Sequence, residues 1–339
     1  MAAKNELCRE GMKGMDIAFL ILHYVVTELT CDAVEHIERN CDTEDYRIVI
    51  VDNASPNESF RELTRLYKDD SHVLLIKNEK NLGFAKGNNE GLKIIKDQLH
   101  PEFVVMLNND VELLDKGLLK KLRKEYSESA FYIAGPRVEL PDGVMTSNPF
   151  KLFIPTIKWL DYMIQKRKEE IFWSRMGLYE KVCPFLRGKL YKILHIFEPP
   201  QVPYAVIDNN KKPYEQRIYD VALSGCCLVF SGKFMEEYGL LDESTFLGGE
   251  ELLLYLNMIG SGKRMVYLPD IHIKHLESRS TKATEKKKGN ERRCRDFRRS
   301  KEVYQIAKKH IIKYKEERGK EVAESVNSMT DFKWKKYDG

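Results

Sequence analysis

The first third of the chain alternates short apolar runs with amphipathic stretches, and this alternation limits the possible folds more than any other feature. Buried strands of a parallel sheet are short, continuous apolar runs, whereas the helices that cross between them carry apolar residues at helical spacing. The apolar runs are residues 17–25, 47–51, 72–76 and 103–107, and the helical patterns are 29–39, 59–67 and 84–96. This order predicts an α/β fold in which a mostly parallel central sheet is flanked by helices.

Composition limits where such a chain is expected to act. Hydrophobic residues make up 42% of the 339 residues, which is enough for a sizeable core. No stretch approaches the roughly 18 apolar residues of a membrane span, and the N-terminus lacks the apolar run of a signal peptide. The seven cysteines include no Cys-x-x-Cys pair, which indicates reduced thiols rather than disulfides or a zinc site. These features predict a cytoplasmic protein.

The pattern changes after the first third. Residues 150–219 are rich in aromatic and basic side chains and end in a proline-rich stretch, which predicts a largely helical insertion followed by an irregular connector. Regular strand alternation resumes at 220–230, and a further strand is expected at 264–268. Residues 290–318 are predicted to form a basic helix.

Positive charge is concentrated near the C-terminal end. The chain has a formal net charge of +4, yet the stretch from Arg279 to Lys301 holds eleven Lys or Arg residues against three acids. Such a patch attracts phosphate groups on nucleotides, nucleic acids or anionic lipids, but it is equally typical of a solvated helix face. The sequence has no RNP or zinc-finger pattern, which argues against nucleic acid as a partner.

Polar clusters follow two of the predicted strands. Asp52 begins a turn after the second strand, and Asn108-Asn109-Asp110 follows the fourth. Ligands of open α/β sheets bind beyond the carboxyl ends of the strands, where both clusters are expected. The Asp52 carboxylate can accept hydrogen bonds from a pyrimidine NH or a ribose hydroxyl, and Asp110 can hold a divalent cation that bridges a diphosphate. Both positions are also typical of helix caps and turns.

Two adjacent carboxylates open a later predicted helix. Glu250 and Glu251 follow two glycines, and His275 lies downstream of a predicted strand. In such a pair one carboxylate can accept a hydrogen bond from a substrate hydroxyl while the other removes its proton. Acids in a first helical turn also stabilise any helix, and an isolated histidine at a strand end is more often structural than a ligand.

The order of the motifs is more specific than any one of them. The chain contains VDNASPNES, NEKNLGFAKGNNEGL, MLNNDVEL, ALSGCCLVFSG, GLLDESTFLGGEE, VYLPDIHIKH and ESRST in succession. Together they resemble the family 2 glycosyltransferases of the GT-A type, and more narrowly the bacterial rhamnosyltransferases and the capsule or O-antigen sugar transferases. The resemblance covers residues 16–143 and the region from 220 to the basic helix. It implies a Rossmann-like GT-A fold that carries the helical insertion and ends in the C-terminal basic helix.

The resemblance also implies a role for individual residues. It makes Asp52 the contact to the nucleotide base, Asp110 the metal ligand equivalent to the last acid of a DxD motif, and Glu251 the general base. The other residues that it implies are Asn53, Asn81, Gly83, Asn88 and Asn109 for the nucleotide, Glu250 beside the base, and His275 for the metal. The implied cofactor is a divalent metal, Mn or Mg.

The sequence departs from the family pattern within these motifs. Asn108 stands in place of the first DxD acid, which leaves fewer metal ligands. Glu250-Glu251 stands where Glu-Asp is familiar, and the longer side chain keeps the same chemistry. Leu253 replaces a second Asp and Asn257 an Arg, and these changes bear on acceptor contacts more than on catalysis.

The implied activity is that of an inverting glycosyltransferase, a hexosyltransferase-type enzyme that moves a sugar from a UDP- or dTDP-sugar to an acceptor hydroxyl. Its implied setting is the biosynthesis of cell-surface polysaccharide. Two other classes stay open: an inactive nucleotide-sugar-binding protein, motivated by Leu253 and Asn257, and a nucleic-acid-binding protein that uses the basic helix.

The expected organisation has four parts. Residues 16–149 form the nucleotide-sugar-binding half and 220–278 the acceptor and catalytic half, separated by the insertion at 150–219 and followed by a basic region at 279–339. The insertion and the basic region suit the surface of an anionic membrane, where lipid-linked oligosaccharide acceptors reside. An acceptor-binding or homodimer-forming subdomain is the alternative. The expected location is cytoplasmic, peripheral on the inner face of the cell membrane.

Overall fold

The structure is a computed structural model that describes residues 14–143, 148–181, 200–205, 207–208, 210–276 and 289–319. The strands in these residues are β1 (Ile17–His23), β2 (Tyr46–Asp52), β3 (Val73–Lys77), β4 (Phe103–Asn108), β5 (Val111–Leu113), β6 (Ile133–Glu139), β7 (Ile218–Tyr219), β8 (Cys227–Ser231) and β9 (Met265–His275). The helices are α1 (Thr27–Asn40), α2 (Ser59–Leu66), α3 (Phe84–Ile94), α4 (Leu118–Ser129), α5 (Ile157–Arg175), α6 (Gly232–Glu237), α7 (Glu250–Gly260) and α8 (Asn290–Arg318).

The strands form one mixed sheet in the order β3-β2-β1-β4-β8-β6-β9-β5, with β7 paired to β9. The first four strands in this order are parallel, as the alternation of apolar runs and helices predicts. Strand β8 pairs antiparallel with β4 and begins the second half of the sheet.

Alternate side chains of the central strand β1 enter two separate cores. Ile17, Phe19 and Ile21 pack on one face with residues of α1, whereas Ala18 and Leu20 pack on the other face with residues of α3. The strand is apolar throughout because helices cover both faces of the sheet. The polar ends of the strands are the places where the chain meets solvent or a ligand.

The second half of the sheet differs from the expected strands. The regular strand predicted at 220–230 is wrong in its first part, because β8 begins only at Cys227. The preceding residues hydrogen-bond to the start of the insertion instead: Ala222 forms a bridge with Lys151, and the Ser224 amide donates to Asn148 Oδ1. The strand predicted at 264–268 is longer, since β9 extends to His275.

Helices α5 and α8 pack together as an antiparallel pair. The Trp159 ring meets Tyr304 edge-on, and near the other end the Cys294 thiol donates to the Ile171 carbonyl. Helix α8 has the bounds that the sequence predicts. The insertion is helical over α5, while the basic run from 279 to 288 lies outside the described residues. None of the helices in the described part of the chain combines the length and apolarity needed to cross a bilayer.

Candidate active site

Hydrogen bonds link the loops after β1, β2 and β4 at one edge of the sheet, and the segment after β3 contacts the loop before α7. Two residues beside this edge adopt left-handed backbone angles that side chains rarely take, Val25 with φ of 70° and Ala54 with φ of 58°. The Ser55 hydroxyl accepts a hydrogen bond from the Val25 amide at 2.8 Å and thereby joins the two loops. Such strain persists only where surrounding contacts impose it, and it is concentrated at functional sites.

Asn53 organises the loop that the sequence assigns to the nucleotide. Its Nδ2 donates to Asn81 Oδ1 at 3.2 Å and to the Gly83 carbonyl at 3.0 Å. Its Oδ1 accepts from the Leu82 amide at 3.0 Å and from Asn78 Nδ2 at 3.2 Å. All four hydrogen-bonding positions of this buried amide are therefore used inside the protein. Asn53 shapes the loop, whereas the exposed Asn81 borders solvent.

The Asp52 carboxylate lies beneath this edge and has no exposed surface. It accepts a hydrogen bond from the Ser55 amide at 3.2 Å, and His23 Nε2 is 3.9 Å away. Contact with a nucleoside would therefore require the turn around Asp52 to move.

His23, which the sequence reading missed, connects the turns after β2 and β4. The Ser59 hydroxyl donates to Asn57 Oδ1 at 2.8 Å, so His23 Nε2 donates to Ser59 Oγ at 3.0 Å. On the other side, His23 Nδ1 accepts from the Thr30 hydroxyl at 2.7 Å, and Thr30 accepts from Asn109 Nδ2 at 3.3 Å. Burial lowers the pKa of His23, which agrees with a neutral ring that donates once and accepts once. The sequence feature that could have revealed this residue is a histidine at the end of an otherwise apolar strand.

Gly83 brings α3 against the loop before α7. The Phe84 amide donates to the Phe246 carbonyl at 2.8 Å, and a Cβ on Gly83 would lie 2.1 Å from that carbonyl oxygen. Further along α3, Asn89 exchanges two hydrogen bonds with the backbone of Leu241. The neighbouring Asn88 donates to the Phe84 carbonyl, while its buried Oδ1 has no hydrogen-bond partner among the described residues.

We predict that Gly83→Ala destabilises the protein by roughly 2–4 kcal/mol, since it combines backbone strain with a clash against a carbonyl. Gly117→Ala is the control, because Gly117 has a similar φ of 86° while its nearest contact for an added Cβ is at 4.0 Å. We expect the control to cost only about 1–2 kcal/mol. Denaturant unfolding measures both values. Equal losses in the two variants would show that the contact with the loop before α7 contributes nothing.

The structure brings Asp110 and His275 together at the end of β4. Strand β5 pairs antiparallel with β9 so that Val111 lies opposite His275, and the Leu276 amide donates to the Asp110 carbonyl at 2.9 Å. As a result His275 Nε2 is 3.2 Å from Asp110 Oδ1. Asn109 turns instead toward Thr30.

A carboxylate oxygen and an imidazole nitrogen brought together from the ends of two strands are a donor pair that Mn²⁺ accepts. No cluster of three or more His, Cys, Asp or Glu side chains suited to a metal occurs in the described residues. The pair therefore fits an ion that takes its other ligands from a diphosphate and water, rather than a closed protein site.

Glu250 and Glu251 have different environments at the start of α7. Glu250 is 8% exposed, and its Oε1 accepts a hydrogen bond from the Gly248 amide at 2.9 Å. Burial, reinforced by the charge of Glu251, raises the pKa of Glu250 to about 7. Glu251 is partly exposed, and its Oε1 lies against Gly225, where an added Cβ would come within 2.9 Å.

The buried thiol of Cys226 links the two acidic elements. Burial raises the pKa of Cys226 to about 12, and the charges of Asp110 and Glu251 add to the effect. Both carboxylates therefore lie near this thiol, one on the side of β4 and the other on the side of α7. The structure thus places one buried carboxylate, Asp110, and one partly exposed carboxylate, Glu251, around the same thiol.

Comparison with known proteins identifies the family. Residues 24–194 match the family described as Glycosyl transferase family 2, and the chain belongs to it. The low-salt glycan biosynthesis hexosyltransferase Agl10 of Haloferax volcanii is 26% identical over 204 residues, which are 60% of this chain and 50% of that protein. The chain thus spans about half the length of this relative.

Solved structures show the fold. The crystal structure of GalNAc-T7 with UDP, GalNAc and Mn²⁺ aligns with a TM-score of 0.52 at 13% identity, covering 78% of this chain and 44% of that one. The crystal structure of S. aureus TarS 1-349 in complex with UDP-GlcNAc aligns with a TM-score of 0.46 at 13% identity, covering 82% of this chain and 61% of that one. The likeness to GalNAc-T7 confirms the GT-A fold class that the motifs imply, and the family match confirms the resemblance itself.

Proposed function

We propose that this protein is an inverting glycosyltransferase that moves a sugar from a UDP- or dTDP-sugar to an acceptor hydroxyl in cell-surface polysaccharide biosynthesis. The observation that carries the proposal is the pair of Asp110 and His275, with Glu251 across the buried Cys226 thiol. Membership of glycosyl transferase family 2 supports the reaction class. The GalNAc-T7 crystal contains UDP, GalNAc and Mn²⁺, which supports a uridine nucleotide and a divalent ion.

We assign the nucleotide to the edge where the loops after β2 and β4 meet α3. The residues that we assign to its binding are Asp52, Asn53, Asn81, Gly83, Asn88 and Asn109. Asn53 and Asn109 would act by shaping the loops, because their amides are engaged within the protein. Asn88 would offer its unpaired carbonyl oxygen, and Asn81 its exposed side chain.

In the proposed reaction Glu251 removes the proton from the acceptor hydroxyl. The oxygen then attacks the anomeric carbon on the face opposite the diphosphate, so the configuration inverts as the sugar–phosphate bond breaks. Asp110 and His275 would hold a divalent ion, which supplies positive charge to the departing diphosphate. Glu250, which is largely protonated below pH 7, would orient the acceptor through a hydrogen bond.

The reaction class is tested by thermal shift with a panel of UDP- and dTDP-sugars, with and without Mn²⁺. A specific donor stabilises the fold by mass action, so one nucleotide sugar is expected to raise Tm in a metal-dependent way. Donor hydrolysis with manganese distinguishes an enzyme from an inactive binding protein. If no nucleotide sugar in the panel raises Tm, the proposal is contradicted.

We predict that Asp52→Ala weakens binding of UDP by roughly tenfold or more while leaving the manganese dependence of binding unchanged. The reason is that the nucleoside portion, and not the diphosphate, would lose its contact with a charged acceptor. Calorimetric titration of uridine, UDP and pyrophosphate separates the two portions. If the variant binds uridine with wild-type affinity, Asp52 is not the residue that contacts the base.

We further propose the four-part organisation of residues 16–149, 150–219, 220–278 and 279–339, with peripheral attachment at the cytoplasmic face of a membrane where a lipid-linked oligosaccharide is the acceptor. Phe172 of α5 and Met176, which caps the C-terminal end of that helix, are 55% and 60% exposed, which supports contact with lipid. A homodimer through the same surface is the alternative, and analytical ultracentrifugation tests it.

The membrane proposal predicts that the protein sediments with anionic liposomes at low salt and is released at high salt. Phe172→Ser with Met176→Ser is expected to weaken this recovery severalfold because the apolar contact is lost. The control is Leu66→Ser, an exposed apolar residue of α2 that lies outside the insertion. Equal recovery on neutral and anionic vesicles would contradict the electrostatic part.

A further inference from the structure

A cavity of about 280 Å³ lies beside the proposed base, between α8 and the loop before α7. Gly248, Gly249 and Leu252 line it, and these residues flank Glu251 in the sequence. Lys151, at the start of the insertion, also lines the cavity. Burial lowers the pKa of Lys151, and the nearby charge of Glu251 partly offsets this effect. The lysine and the proposed base therefore interact electrostatically.

Two cations line this cavity without a direct ion pair among the described residues, although the charge of Glu251 acts on Lys151 from nearby. Neither Lys151 nor Arg299 of α8 forms an ion pair with any acid among the described residues. Asp296 also lines the cavity, but its carboxylate lies 3.7 Å from Arg295 and 3.9 Å from Arg292, which share its charge. Since a half-buried cation loses solvation that only a counter-charge restores, these two residues favour an anionic ligand.

Most of the remaining side chains that line the cavity are apolar or aromatic. Phe150 and Leu247 form its outer part and remain 43% and 42% exposed. Val303 and Tyr304 of α8 line it as well. The Lys151 ammonium sits 4.3 Å from the centre of the Phe150 ring, so the charged and aromatic surfaces adjoin. A ligand that fits both has an anionic group next to an apolar or flat segment.

We propose that this cavity binds the acceptor, and that the acceptor carries a phosphate or carboxylate group held by Lys151 and Arg299 beside a segment that packs on Phe150 and Tyr304. This inference rests on the proposed function, because Glu251 must be the group that deprotonates the acceptor. The planar guanidinium of Arg299 suits the paired oxygens of either anion, and the lysine adds a point charge. A neutral oligosaccharide would leave both cations without a direct ion pair.

The test titrates the full-length protein with phenyl phosphate, benzoate and benzyl alcohol in the presence of saturating UDP and Mn²⁺. The added nucleotide fills the donor site, so any further binding reports on the cavity. Ligand-observed NMR measures affinity for these small probes. We expect phenyl phosphate or benzoate to bind at least tenfold more tightly than benzyl alcohol, and the better of the two decides whether the acceptor anion is phosphate or carboxylate.

Lys151→Met and Arg299→Met are each expected to weaken anion binding by roughly ten- to a hundredfold. UDP affinity and Tm should stay unchanged. Arg298→Met is the matched control, because Arg298 is the exposed neighbour on the same helix and does not line the cavity. Equal binding of the three probes, or wild-type binding of phenyl phosphate and benzoate in both cavity variants, would overturn the inference. Failure of UDP itself to bind would instead contradict the proposed function, so the two failures are distinguishable.

Discussion

Glu251→Gln is expected to reduce turnover by roughly a hundred- to ten-thousandfold while leaving donor affinity nearly unchanged. The amide keeps the size of the side chain that lies against Gly225, but it cannot accept the proton of the acceptor hydroxyl. The measurement is kcat with saturating donor, together with the Kd for UDP from calorimetry. Full activity in this variant would show that another residue is the general base, and Glu250 would be the next candidate.

Glu250→Gln is the matched control, and its expected effect is on acceptor KM and on stability rather than on kcat. A carboxyl whose pKa is raised from 4.5 to about 7 in the folded state binds its proton more tightly there than in the unfolded chain. Wild-type stability therefore falls as pH rises from about 4.5 to about 7, and the loss persists above pH 7. Glutamine does not ionise, so the variant should be about 3 kcal/mol more stable than wild type at pH 8. Denaturant unfolding at pH 4.5 and pH 8 measures the difference.

Asp110→Ala is expected to weaken Mn²⁺-dependent UDP binding by about a hundredfold and to reduce turnover by about a hundred- to a thousandfold. The reason is that His275 alone would remain at the proposed metal position. Calorimetric titration of UDP with and without Mn²⁺ separates the metal contribution from the rest. In the absence of metal, the variant and the wild type should bind UDP equally weakly.

Glu112→Ala is the control for this variant. Glu112 lies two residues further along the chain, on β5, and its carboxylate pairs with Lys274 at 3.9 Å instead of with His275. A partly exposed ion pair contributes about 1 kcal/mol or less, so the control should bind UDP within twofold of wild type. Manganese dependence that survives in Asp110→Ala would contradict the metal assignment, and loss of that dependence in both variants would indicate general damage to the pairing of β5 with β9.

Much of the parallel half of the fold was predictable from the sequence. Strands β1 to β4 and helices α1 to α3 follow the predicted runs to within two or three residues, because apolar continuity and helical spacing are local properties. The irregular backbone of residues 220–226 was not predictable, because the composition of this segment suits a strand. Its backbone partners are supplied by the start of the insertion, at Asn148 and Lys151, which no local pattern reveals.

The sequence by itself determined the family, the succession of strands and helices in the parallel half of the sheet, and the identity of the acidic residues that follow the strands. Only the tertiary structure decided how these residues are used. The pairing of β5 with β9 brings His275 within 3.2 Å of Asp110, and burial separates the environments of Glu250 and Glu251. Contact and desolvation depend on residues that are distant in the chain, so spacing along the sequence carries no record of them.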